Sequence, residues 1–138
     1  MDIQQSLRLT HAGALKALAA AVAKAEEMGV PQNITIVDAS GVLLAFVRMD
    51  GSKFLSIETS RAKAMTAASS RAATSGLDPV LAQSLAVGSG GKFINLKGGV
   101  PIIIDGQCVG GIGVGSGTGE QDLTVARAAL DALGAEQP

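Results

Sequence analysis

An α+β domain with a mainly antiparallel sheet is predicted by three observations. There are two β-hairpin signals, helical apolar spacings lie around them, and the element order reads α-β-β-α-α-β-β-β-α. The 138 residues suit a single domain spanning residues 1–138, long enough to bury roughly two thirds of its unfolded surface.

The first helix is expected over Thr10–Met28, where Leu15, Leu18, Val22 and Ala25 recur at three- and four-residue intervals. Gly29 and Pro31 end it. His11, the only histidine, lies one turn before Leu15; no second His, Cys or carboxylate at ligand spacing supports a metal role for it. Asn33–Asp38 and Val42–Arg48 form the first hairpin around Asp38-Ala39-Ser40-Gly41. Ser56–Ser70 is the second helix, with Ser56 as N-cap and Ile57, Ala64, Met65 and Ala68 towards the core. Lys63 falls on the flank of that stripe. Such a lysine either extends its tip to water, the reading the sequence favours, or points into a cleft where burial makes it a useful base.

Asp78-Pro79 starts a short third helix ending at Gly88-Ser89-Gly90-Gly91. Gly91-Lys92 is not a phosphate loop, because Ala86 and Phe93 occupy the positions that need Gly and Ser/Thr. Phe93–Leu96 is expected as a strand. Val100–Ile104 and Gln107–Val114 then form a second hairpin around Asp105-Gly106, a type I′ turn signal. Strand alternation puts Cys108, Gly110, Ile112 and Val114 on one face and Val109, Gly111, Gly113 and Gly115 on the other. The second face is nearly free of Cβ atoms, so a helix, a partner subunit or a flat ligand must come close there. The last helix covers Gly119–Leu133, with Thr118 and Gln121 at capping-box spacing. Glu120 and Asp122 in its first turn complement the helix dipole and would repel a phosphate.

Composition narrows the partners. Eleven Lys+Arg against twelve Asp+Glu, with only three aromatic residues, all Phe, argue against nucleic acid. Apolar runs such as Ala17–Ala23 fall short of the roughly 20 residues that span a bilayer. The N-terminus lacks the pattern of a signal peptide. A single cysteine, Cys108, fits a reducing compartment, so a cytoplasmic protein is expected. The 47% hydrophobic content points to a homo-oligomer.

The chain resembles the GlcG/HbpS family, small proteins often labelled haem-binding or haem-degrading and related to the C-terminal domain of PduO-type corrinoid proteins. The resemblance runs through Val37-Asp38-Ala39 with Gly41, Arg48-Met49-Asp50-Gly51, Ser56-Ile57, and Lys63-Ala64 with Thr66-Ala67. It continues through Gly98-Gly99-Val100-Pro101-Ile102, Asp105-Gly106, Val109–Val114 and Glu120-Gln121-Asp122. It departs at Gly115, where serine is common, and at Gly119, where proline is common. It implies a profilin-like five-stranded antiparallel sheet flanked by helices, a homo-oligomer, and a ligand cleft near the glycine-rich strand.

Two functions follow as expectations. One is binding of a tetrapyrrole, haem or corrinoid, with Arg48, Asp50, Gly98, Gly99, Pro101, Gly113 and Gly115 as the ligand-binding set. Haem iron ordinarily takes His, Cys, Met or Tyr, which leaves His11, Cys108 and four methionines here. The other is a metal-free acid–base enzyme acting on a small carboxylate-bearing metabolite. In it Arg48 holds the carboxylate, Lys63 acts as base or imine former, and Glu120 or Asp122 is the proton partner. A third option makes the glycine face purely an oligomer contact.

Overall fold

A computed structural model describes Met1–Pro138. It contains four helices, α1 (His11–Met28), α2 (Ser56–Ser70), α3 (Pro79–Gly88) and α4 (Gly119–Leu133), and four strands, β1 (Asn33–Asp38), β2 (Leu43–Arg48), β3 (Gly99–Ile104) and β4 (Gln107–Gly115). The strands form one sheet in the order β2-β1-β4-β3, and all three pairings are antiparallel. Helices α1 and α4 cover one face and α2 the other, so the molecule is three layers deep.

The helix ends follow local chemistry. Thr10 caps α1 by accepting from Gly13 N, and Gly29 closes it at φ 69°. Asp78 accepts from Val80 N and Leu81 N ahead of Pro79 in α3. In α4 the capping box between Thr118 and Gln121 is made in both directions. Helix α2 differs: it begins after Leu55, with no side-chain cap, so Ser56 is its first residue and not its N-cap. Asp105 at φ 50° and Gly106 at φ 75° make the expected type I′ turn.

The main core lies between the sheet and α1/α4. Ile34, Ile36, Val100, Ile102, Ile112 and Val114 meet Val125, Ala126, Ala129 and Leu130 there. The side of α1 that enters this core is Ala14, Ala17, Ala21 and Ala25, while Leu15 is exposed. The expected stripe is therefore rotated by about one residue, since alanines let α1 approach α4 closely where leucines would hold it off.

Two further expectations are corrected. Phe93–Leu96 is not a fifth strand. Its groups are held by side chains and loop backbone instead: Ile94 N donates to Thr66 Oγ1, Phe93 N to Ser89 Oγ, and the Asn95 amide accepts from Leu77 N and donates to Leu77 O. Groups satisfied this way have no need of a sheet neighbour, and β3 remains the edge strand. It carries Pro101, which donates no ladder hydrogen bond. The alternation along β4 is also broken. Pairing passes from Ile102↔Gly110 to Ile103↔Cys108, which leaves Val109 as the extra residue of a β-bulge. Val109 joins the α1/α4 core, and Cys108 turns its Sγ towards α2, 3.7 Å from Ala68 O.

Candidate functional site

The side-chain-free strip of β4 is occupied by α2. A Cβ on Gly113 would lie 1.9 Å from Ser60 O, and one on Gly111 would lie 2.3 Å from Ala64 O. The helix backbone thus rests directly on the strand, and a Ser60–Thr35 hydroxyl contact of 2.9 Å ties it to β1. Of the three candidates for that face, the packed helix is the one present. The cleft expected over Gly113 is closed, and a flat guest has no room there.

The same close approach buries a charge pair. Lys63 on α2 is 4% exposed and Asp122 on α4 is 2% exposed. Lys63 Nζ donates to Asp122 Oδ2 at 2.9 Å and to Val114 O at 2.8 Å. The other oxygen, Asp122 Oδ1, accepts from Gly117 N at 3.0 Å, a donor it shares with Gln32 Oε1. Gly98, at φ 124°, gives the lysine its path, since a Cβ there would fall 2.9 Å from Nζ. The lysine expected at the solvent edge of α2 is therefore inside. Both charged ends are bonded to protein atoms and shielded from solvent.

The remaining residues singled out from sequence do not gather. Glu120 is exposed and bonds Lys97, whose hydrogen bond and charge hold the carboxyl below its usual value. Arg48 and Asp50 are both exposed and form no ion pair with each other or with any neighbour. Gly99 and Pro101 are buried in β3, where Gly99 N donates to Thr74 Oγ1 at 2.9 Å. Gly115 sits under Ser56 and Thr59, with 3.2 Å for an added Cβ. His11 is exposed at the start of α1, on the side of the sheet away from α2. No group of three metal-ligating side chains forms.

The open space lies on the outer side of α2. A groove of about 450 Å³ runs between α2, the β1–β2 turn and the α3–Phe93 segment, lined among others by Gly41, Met65, Leu85, Lys92 and Phe93. Its walls are well held. Asp38 Oδ1 accepts from Ser40 N and Val42 N across the turn, and Thr66 anchors Ile94. At Gly41, φ 79°, an added Cβ would lie 3.7 Å from Met65 Cε. Among the histidine, cysteine and methionines, Met65 alone lines this groove. Met65 packs, as expected, with Ala64 and Ala68 against Val37, and its half-exposed remainder borders the groove. Lys92, which the sequence offers only in a failed phosphate loop, is the groove's one cation.

Comparison with known proteins places the chain. A family model described as haem degrading protein HbpS-like matches residues 9–131. A 15.0 kDa protein from the dhaT–dhaS intergenic region of Citrobacter freundii is 35% identical over 133 residues, covering 93% of this chain and 94% of that one. The crystal structure of a PduOC:heme complex superposes with a TM-score of 0.86 at 30% identity, covering 94% of this chain and 98% of that one. A double mutant of Streptomyces reticuli HbpS gives 0.84 at 37% identity, with 96% and 91% covered.

Proposed function

This chain belongs to the HbpS-like haem-degrading protein family, and from that premise we propose that it binds a tetrapyrrole in the groove beside Met65. The observation that carries the reading is the groove itself. An apolar slot of about 450 Å³ bordered by Leu85 and Phe93, with one thioether and one ammonium at its margin, suits a flat apolar body with a polar edge. The relative solved with heme is of the same fold over nearly the whole chain. A thioether is a known haem-iron ligand, and Met65 is the side chain that would supply it; Leu85 and Phe93 would cover the macrocycle. The chain would act as a homo-oligomer in a reducing, cytoplasmic setting, where Cys108 stays a thiol. Helix α3 offers the contact, with Val80 74% and Val87 79% exposed.

The acid–base reading has less support. Lys63 and Asp122 do meet, but they meet in the interior, and Glu120 faces water on Lys97. We assign the buried pair to holding α2 and α4 against the end of β4.

Titration of the purified protein with hemin tests the tetrapyrrole reading. A saturable Soret change at micromolar protein is expected, and Met65→Leu, which keeps the apolar volume, should move the Soret position while leaving the fold intact by circular dichroism. Absence of any saturable change in the unaltered protein overturns the reading.

A further inference from the structure

The loop between β2 and α2 is rigidly held, yet it turns its apolar side chains to solvent. Phe54 is 70% exposed and Leu55 69%, while Phe46 and Phe93 are half-buried. The backbone beneath them is fixed from outside the loop. Lys53 N donates to Ser116 Oγ at 2.8 Å, and Lys53 O accepts from Nδ2 of the fully buried Asn33 at 2.8 Å. Ser52 Oγ donates to Met49 O at 2.7 Å. Ser116 itself sits at φ 97°, a region that residues other than glycine seldom adopt. A buried amide and a strained serine are thus committed to a loop whose own apolar groups join no core. Side chains stiffened in advance lose little freedom on binding. Beside them lies a hollow of about 420 Å³, which Phe54 and Leu55 line together with Ser52, Lys53, Ser56 and Thr59. A knob and a hole therefore share one patch. Around it stand Arg48, Asp50, Lys53 and Glu58, all exposed and none in an ion pair. Arg48 is the cross-strand neighbour of Asn33, which places it on the loop's side of the sheet.

We propose that this patch is a contact between two copies of the chain related by a twofold axis, with Phe54 of each seated in the hollow of the other. It rests on the self-association reading above and adds a contact separate from the α3 face. Shape and charge both select a second copy as the occupant. In a twofold contact the same surface serves both partners, so a patch that carries knob and hole side by side complements itself. Two cations against two carboxylates leave the rim without a net field for an anionic membrane or a strongly charged partner. After the half-turn each cation has a carboxylate of the other copy to meet. Phe54 and Leu55 supply the desolvated centre that carries the affinity; the rim charges fix the register and discourage other partners.

Light scattering and sedimentation of the full chain over a range of concentrations test the contact. The unaltered protein should be larger than one chain. Phe54→Asp should weaken association at least about thirtyfold, with an unchanged circular dichroism spectrum because the side chain is exposed. With Val80→Lys and Val87→Lys added, the mass should fall to the 13.8 kDa of one chain. Two rim variants ask whether the occupant is the chain itself. Arg48→Glu with Lys53→Glu makes the rim wholly acidic, and Asp50→Lys with Glu58→Lys makes it wholly basic. Each should lose mass alone, and mixing the two should restore it. If Phe54→Asp leaves the mass unchanged, or if mixing restores nothing, this contact is overturned while self-association stands. Cosedimentation of the unaltered protein with phosphatidylserine vesicles, lost in Phe54→Asp, would give the patch to a lipid surface and also overturn it. A single-chain mass at every concentration would end both readings together.

Discussion

Lys63 and Asp122 show what a single residue's neighbours can hide. They lie 59 positions apart on different helices, and nothing local to Lys63 reveals that a glycine strand will draw α2 inward until the ammonium reaches Val114 O. Removing one partner of a buried pair strands the other charge, at a cost of about 3–5 kcal/mol. Lys63→Met and Asp122→Leu should each lower unfolding free energy by about that much in urea titrations. The double variant should be more stable than either single, because two apolar side chains of similar volume leave no charge behind. Losses below about 1 kcal/mol in both singles would mean that the pair is not structural. Arg48, Asp50 and Glu120 were legible as surface charges with options; which option each took depends on distances that sequence spacing does not encode.

At the level of elements, all four helices and four of the five expected strands were readable from period and turn chemistry. The Asp105-Gly106 turn and the Thr118–Gln121 box are purely local devices, so they survive folding unchanged. The misreadings share a cause. Phe93–Leu96 has a strand's composition but finds its hydrogen bonds on Thr66, Ser89 and Leu77, and the bulge at Val109 reverses the parity of β4 ahead of it. Both outcomes are set by tertiary partners. The contact of α2 with β4 invites a direct check. Gly113→Ala places a methyl 1.9 Å from Ser60 O and should cost about 3 kcal/mol, at the upper end of overpacking. Gly106→Ala, with open space around it and only its positive φ against it, should cost about 1 kcal/mol. Equal losses in thermal or urea unfolding would argue against backbone-on-backbone packing.

For the whole molecule, the residues that named the family also built its interior. Within them Gly98, Gly99, Gly113, Glu120 and Asp122 read as site residues from sequence, because glycines, cations and carboxylates in one neighbourhood resemble a ligand site. In three dimensions most of them instead join α2 and α4 to the sheet, and the open groove is lined by Met65, Leu85 and Phe93. The apolar excess has a visible address as well: Val80, Leu81 and Val87 on α3, a helix with a single buried residue, Ala82. If self-association uses that helix, Val80→Lys with Val87→Lys should reduce the mass seen by light scattering towards the 13.8 kDa of one chain, and an unchanged oligomer would place the contact elsewhere. The bare strip of β4 has one more consequence. Ser60 and Ala64 cannot grow and Gly111 and Gly113 cannot acquire a carbon, so these positions are bound like the two halves of a mould. In any library that randomises them together, survivors should be confined to the smallest residues on both halves, while Met65, half-buried at the groove on the same helix, should accept other apolar side chains of similar reach.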